Sequence, residues 1–179
     1  ESVSGCGNAP PTARGKTVSR QMSINDPIMG ETLNRTYEID LPKNYDPSKK
    51  YPVVYWFHWW GDDLTYQPYV DLGQKEGVIT VYPEGMSDYR KQKNSGWTSW
   101  NIGDTGVTTT CTKNTWSYCY KSCSRLNACG RCNAFTCYDD VYFVRQLMNQ
   151  VNSDYCIDTK QVHISGNSNG GMFVYYLSS

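Results

Sequence analysis

Apolar and polar positions change period several times along the chain, and each change marks an element. Residues 35–41 alternate, with Tyr37, Ile39 and Leu41 on one side, which predicts a half-buried strand. A turn follows over 42–47. Pro52-Val53-Val54-Tyr55-Trp56-Phe57 is a continuous apolar run, as expected of a strand covered on both faces. Residues 64–76 could form a helix. Gly77-Val78-Ile79-Thr80-Val81-Tyr82 predicts a second buried strand, closed by Pro83. From Asp139-Asp140 onward, Val144, Leu147, Met148 and Val151 recur at helical spacing, and the two acids suit the positive end of that helix. Gln161-Val162-His163-Ile164-Ser165 is a short β-type run, and a final helix follows Gly171 to the end. Two stretches lack periodicity. Residues 1–30 are rich in Gly and Pro and read as an irregular arm tied down by Cys6, and 84–137 is a long polar stretch.

Strands alternating with helices predict an α/β fold with a mostly parallel sheet flanked by helices. No internal repeat or second domain is visible, so residues 1–179 read as one domain with a cysteine-rich insert at 111–137. Lys+Arg and Asp+Glu are 17 each, giving no net charge. That balance argues against nucleic acid as a partner, since neutralising a phosphate backbone needs a basic surface. No apolar run approaches the roughly 18 residues that a membrane span requires. The 15 Tyr and 6 Trp suit carbohydrate or phenolic ligands as well as ordinary cores.

One motif carries chemistry. Gly166-Asn167-Ser168-Asn169-Gly170 joins the last strand to the last helix, in the pattern of a nucleophile elbow. A serine on such a turn projects above the sheet edge, and small residues on either side allow the bend. The N–H of Asn169 would then face a developing oxyanion at the positive end of a helix. The first buried strand ends in His58-Trp59-Trp60-Gly61, where Trp59 or Trp60 is placed to supply the second oxyanion donor. His58 reads as structural. Trp97 and Trp100, in the long polar stretch, are candidates to line a substrate cleft.

These residues resemble the feruloyl esterase and polyhydroxybutyrate depolymerase-like esterases of the α/β-hydrolase superfamily. The resemblance runs through Gly5-Cys6-Gly7, Tyr37 to Pro42, His58-Trp59, Tyr82-Pro83-Glu84-Gly85, Gly96-Trp97, Asp139-Asp140-Val141, Cys156-Ile157-Asp158 and Gly166 to Met172. It implies ester hydrolysis through an acyl-enzyme on Ser168, with no cofactor, acting on feruloyl, cell-wall polysaccharide or polymer esters. Trp at position 59 leans toward the feruloyl-esterase branch, and the insert at 111–137 departs from the family pattern. In this fold the acid and the histidine follow the serine. Only 11 residues follow Ser168, none of them Asp, Glu or His, and His163 lies in the strand before it. The expectation is an N-terminal portion of the fold, with the C-terminal half missing from this chain. A remaining C-terminal part or a second chain would supply Asp and His. The alternative is an inactive extracellular scaffold or binding protein that keeps the fold.

There are eight cysteines: Cys6, Cys111, Cys119, Cys123, Cys129, Cys132, Cys137 and Cys156. Cys119, Cys123, Cys129 and Cys132 have spacing that a zinc site would also permit. The even count and the Asn34-Arg35-Thr36 glycosylation sequon favour disulfides, no metal and an extracellular location. The polar start, Glu1-Ser2-Val3-Ser4, resembles a mature secreted chain. Cys6 with Cys156 is the preferred outer pair, leaving the other six to pair among themselves; eight cysteines allow on the order of a hundred pairings.

Overall fold

The computed structural model describes residues 4–87, 97–103, 119–128 and 135–179. Among them, strands β1 (Thr17–Asp26), β2 (Glu31–Asp40), β3 (Tyr51–Phe57), β4 (Ile79–Pro83) and β5 (Ile157–Gly166) form one sheet in the order β1-β2-β4-β3-β5. The helices are α1 (Val70–Glu76), α2 (Lys121–Arg125), α3 (Asp140–Asp154) and α4 (Asn169–Ser178).

β3 pairs in parallel with both β4 and β5, so these three strands end at the same edge. β1–β2 and β2–β4 are antiparallel, which makes the sheet mixed where the sequence predicts a mostly parallel one. The parallel part carries the elbow. Every residue of β4 is buried, as its apolar run requires. One face of the sheet packs Tyr37, Ile39, Val53, Tyr55, Phe57 and Val81 against Phe143, Leu147 and Val151 of α3 and Phe173 of α4. Trp56, Tyr82 and Leu64 pack together on the other face, where Tyr69 and Val70 join them at the start of α1. Each such side chain contributes about 1.5–3 kcal/mol of burial.

Three expectations need correction. The arm at 1–30 contains a ten-residue strand, β1. Val18, Arg20, Met22, Ile24 and Asp26 point inward while Ser19, Gln21, Ser23 and Asn25 point out. This period of two is masked by polar inward residues and by turn residues on both sides. Asp26 organises the hairpin turn, its Oδ1 accepting from the N–H groups of Ile28 and Met29 at 2.9 and 2.8 Å. Helix α1 begins at Val70, not at residue 64. Leu64 has φ 68°, and Pro68 disfavours helical backbone just before it. The polar stretch 84–137 is not wholly without structure, since it contains α2 and a bridge between Met86 and Ser99.

Disulfides join Cys6 to Cys156 and Cys123 to Cys137, and Cys119 is also disulfide-bonded. The first ties the N-terminal arm to the start of β5. The second removes Cys123 from a four-thiolate metal set. Cys111, Cys129 and Cys132 lie outside the described residues, as does most of the insert at 111–137. No helix among the described residues is long and apolar enough to cross a membrane.

Candidate active site

Ser168 stands at the junction of β5 and α4 with φ 51° and ψ −120°. A non-glycine residue holds such a backbone only where the surroundings force it, at a cost of order 1–3 kcal/mol. The forcing contacts are visible. A Cβ on Gly170 would lie 2.1 Å from the Phe57 carbonyl oxygen and 2.4 Å from that of His58. A Cβ on Gly166 would lie 2.6 Å from the Gly170 backbone. Only glycine lets α4 descend this closely onto the end of β3. The Asn167 N–H donates to the Phe57 carbonyl at 3.2 Å, which fixes the turn, and Ser168 itself is exposed.

Asn169 opens α4, where helix N–H groups lack intrahelical acceptors. Its side chain is buried and does separate work, accepting from the Trp100 N–H at 2.8 Å and donating to the Trp100 carbonyl at 3.2 Å. This clamp binds residues 97–103 to the elbow. It is a role that local sequence gave no sign of. Trp59 and Trp60 follow β3 at the same sheet edge. The N–H groups of Trp59, Trp60 and Asn169 donate to no acceptor among the described residues.

Trp100 is not a substrate-facing residue. It is fully buried, stacked on Phe173 at 5.1 Å and edge-on to Phe57, with its indole N–H donated to the His58 carbonyl at 3.0 Å. Trp97 is half exposed. Asn34 is exposed on β2, where its Oδ1 accepts from the Ser23 hydroxyl at 2.6 Å. Among the described residues no three His, Cys, Asp or Glu side chains converge as a metal site would require. A cavity of about 440 Å³ lies between α2, Asp140 and Tyr176, and Ser168 is not among its lining residues.

His58 is fully buried. Its Nε2 accepts from the Gly85 N–H at 2.8 Å, so Nδ1 carries the proton and donates to the Trp59 carbonyl at 2.6 Å. Burial pushes its pKa down to about 4, and the nearby Arg35 charge adds to that, against the Trp59 carbonyl, which raises it. Protonation would also cost the Gly85 hydrogen bond. The unfolded chain therefore binds this proton first as pH falls, and the fold loses stability between pH 6.5 and about 4, by roughly 3 kcal/mol. Thermal melts across that range should show the decline, and His58→Asn should flatten it. An unchanged slope in the variant would assign the decline to other groups. His163, by contrast, is exposed on β5, opposite Val54.

Comparisons with known proteins bear on the fold and the family. The Esterase family profile matches residues 30–128. A bifunctional acetylxylan esterase/xylanase of Neocallimastix patriciarum is 26% identical over 161 residues, covering 88% of this chain and 18% of its own. Feruloyl esterase C of Emericella nidulans is 23% identical over 183 residues, covering 97% of this chain and 47% of its own. The chain thus spans less than half the length of either relative. The crystal structure of a thermostable esterase superposes with a TM-score of 0.50 at 17% identity, over 88% of this chain and 36% of that one, which supports the α/β-hydrolase fold. The profile match, over more than half of the chain's length, places this chain in the Esterase family.

Proposed function

We propose that this chain carries the nucleophile and oxyanion portion of a secreted serine esterase. The observation that carries the reading is the forced backbone of Ser168, φ 51°, between glycines that only a close strand–helix approach explains. The Ser168 hydroxyl would attack the ester carbonyl carbon while a histidine takes its proton. The carbonyl oxygen gains negative charge and would be held by the N–H of Asn169 and of Trp59 or Trp60. The alcohol leaves with a proton returned by the histidine, and water then hydrolyses the acyl-enzyme. The histidine and its orienting acid come from beyond these residues, from a following segment or a second chain. His58 is buried with both ring nitrogens engaged, and His163 sits within the sheet strand.

The names of the similar proteins, acetylxylan esterase and feruloyl esterase, support esters of plant-wall polysaccharides as substrates. Trp97, half exposed and stacked on Trp60 just past the end of β3, is the candidate contact for a flat substrate ring. The disulfides support an oxidising, extracellular location, and the exposed Asn34 is the candidate glycosylation site.

A fluorophosphonate probe tests this directly on the longest natural chain containing these residues. Intact mass should show one adduct, mapped to Ser168, in a species heavier than 20.4 kDa. A folded protein that takes no adduct would leave the elbow without a catalytic role and favour a binding scaffold.

A further inference from the structure

Three aromatic residues from separate parts of the chain meet at one hydroxyl. Trp60 stacks on Trp97 with ring centroids 4.2 Å apart and planes at 14°. The Trp60 indole N–H donates to the Tyr120 hydroxyl at 2.7 Å, and that hydroxyl donates to the Trp97 carbonyl at 2.6 Å. Gly61 closes the mount. Its N–H donates to the Thr98 carbonyl at 2.8 Å, and a Cβ there would lie 2.5 Å from the Trp97 ring. Tyr120 is fully buried, whereas Trp97 is 49% exposed. The result is an indole with one face backed by another ring and with surface open to solvent.

Both indoles are tied closely to the elbow. Trp60 lies two residues past His58, whose carbonyl packs against Gly170. Trp97 lies three residues before Trp100, whose backbone is clamped by Asn169. Tyr120 enters from elsewhere. It sits between the disulfide-bonded Cys119 and Cys123, the latter joined to Cys137. A phenyl ring would fill the same space. The buried hydroxyl is what joins the two tryptophan segments, one by accepting and the other by donating.

We propose that Tyr120 is a positioning residue, through which the disulfide-stapled segment sets the pose of the Trp60–Trp97 stack that receives the aromatic acyl ring of the ester. This rests on the reading of Ser168 as an esterase nucleophile and adds to it the element that selects the acyl group. It also gives the cysteine-rich segment a task at the site, in place of a bare surface insert.

The test is calorimetric titration with ferulic acid in the Ser168→Ala background of the full natural chain, so that binding is read without turnover. Tyr120→Phe should weaken binding about three- to tenfold, as expected for loss of one well-placed hydrogen-bonding group. Trp97→Ala should weaken it about tenfold, and adding Tyr120→Phe to Trp97→Ala should weaken it no further. With Ser168 restored, Tyr120→Phe should raise KM for methyl ferulate by the same factor and leave kcat within about twofold. Unchanged binding in Tyr120→Phe, or an equal loss in the Trp97→Ala background, would overturn the proposal. If Tyr120→Phe does not fold, Trp60→Phe removes the indole donor together with part of the ring that backs Trp97, and should weaken binding at least as much; unchanged binding in that variant would likewise overturn the proposal. A protein with this binding pattern that hydrolyses no ester would overturn the esterase reading and leave the positioning role standing.

Discussion

Replacing Ser168 with alanine should lower ester hydrolysis by on the order of 10⁴-fold or more, because no other group in the elbow can form the acyl-enzyme. The fold should be nearly unaffected, since the side chain is exposed and its hydroxyl caps nothing in α4. A second substitution separates chemistry from strain. Ser168→Gly also removes the nucleophile, and it relieves a backbone at φ 51° that costs a residue with a Cβ of order 1–3 kcal/mol. Ser168→Gly should therefore be inactive and more stable than Ser168→Ala, by about 1 kcal/mol in denaturant unfolding. Hydrolysis and denaturation measured on the same three proteins decide the matter. Residual activity near the parent level in Ser168→Ala would place the nucleophile elsewhere. Equal stability of the Gly and Ala variants would mean that the elbow holds no strain.

How far the site could be read from sequence depends on whether a signal is local. The elbow is local: a β-type run, small residues around a serine and a following helix occupy contiguous positions, and each constrains the next. The buried strands β3 and β4 are equally legible, because a run apolar at every position needs cover on both faces. The resemblance to feruloyl and depolymerase-like esterases rested on such contiguous motifs, and the family match bears it out. β1 failed the same kind of reading. Its inward positions include Arg20 and Asp26, so the alternation is hidden in a polarity pattern that looks like a loop. Trp100 failed for another reason. In a stretch without periodicity nothing tells which way an indole faces, and the groups that enclose this one, Phe57, Phe173 and the His58 carbonyl, lie far away in the chain. Contacts of this range leave no mark in a local pattern, and the same is true of the buried charge pair that holds Asn101, next to Trp100.

That pair is Arg35 and Asp140, 105 residues apart, both fully buried and 2.7 Å from each other. The Arg35 guanidinium also lies 3.8 Å from the centre of the Phe143 ring and donates to the Glu84 carbonyl at 3.2 Å. The second oxygen of Asp140 accepts from the Asn101 N–H at 2.7 Å, so the pair joins β2, α3 and the loop that carries Trp97 and Trp100. Arg35→Met should cost about 3–5 kcal/mol, because it leaves a carboxylate buried without its counter-charge. Burial already pushes the Asp140 carboxyl up, against the pull of Arg35 and the Asn101 N–H; without Arg35 it should rise further. A group whose folded pKa lies above its unfolded value loses its stabilising effect as pH rises through the folded pKa. The deficit of Arg35→Met should accordingly grow toward neutral pH and shrink in acid. Adding Asp140→Asn removes the buried charge and keeps an acceptor for the Asn101 N–H, so the double variant should recover at least half of the loss at pH 7. Denaturant midpoints of the three proteins at pH 5 and pH 7 test both statements. If Arg35→Met loses less than about 1 kcal/mol, or if Asp140→Asn deepens its loss, then the guanidinium acts through its packing on Phe143, and the charge pair is incidental to the fold.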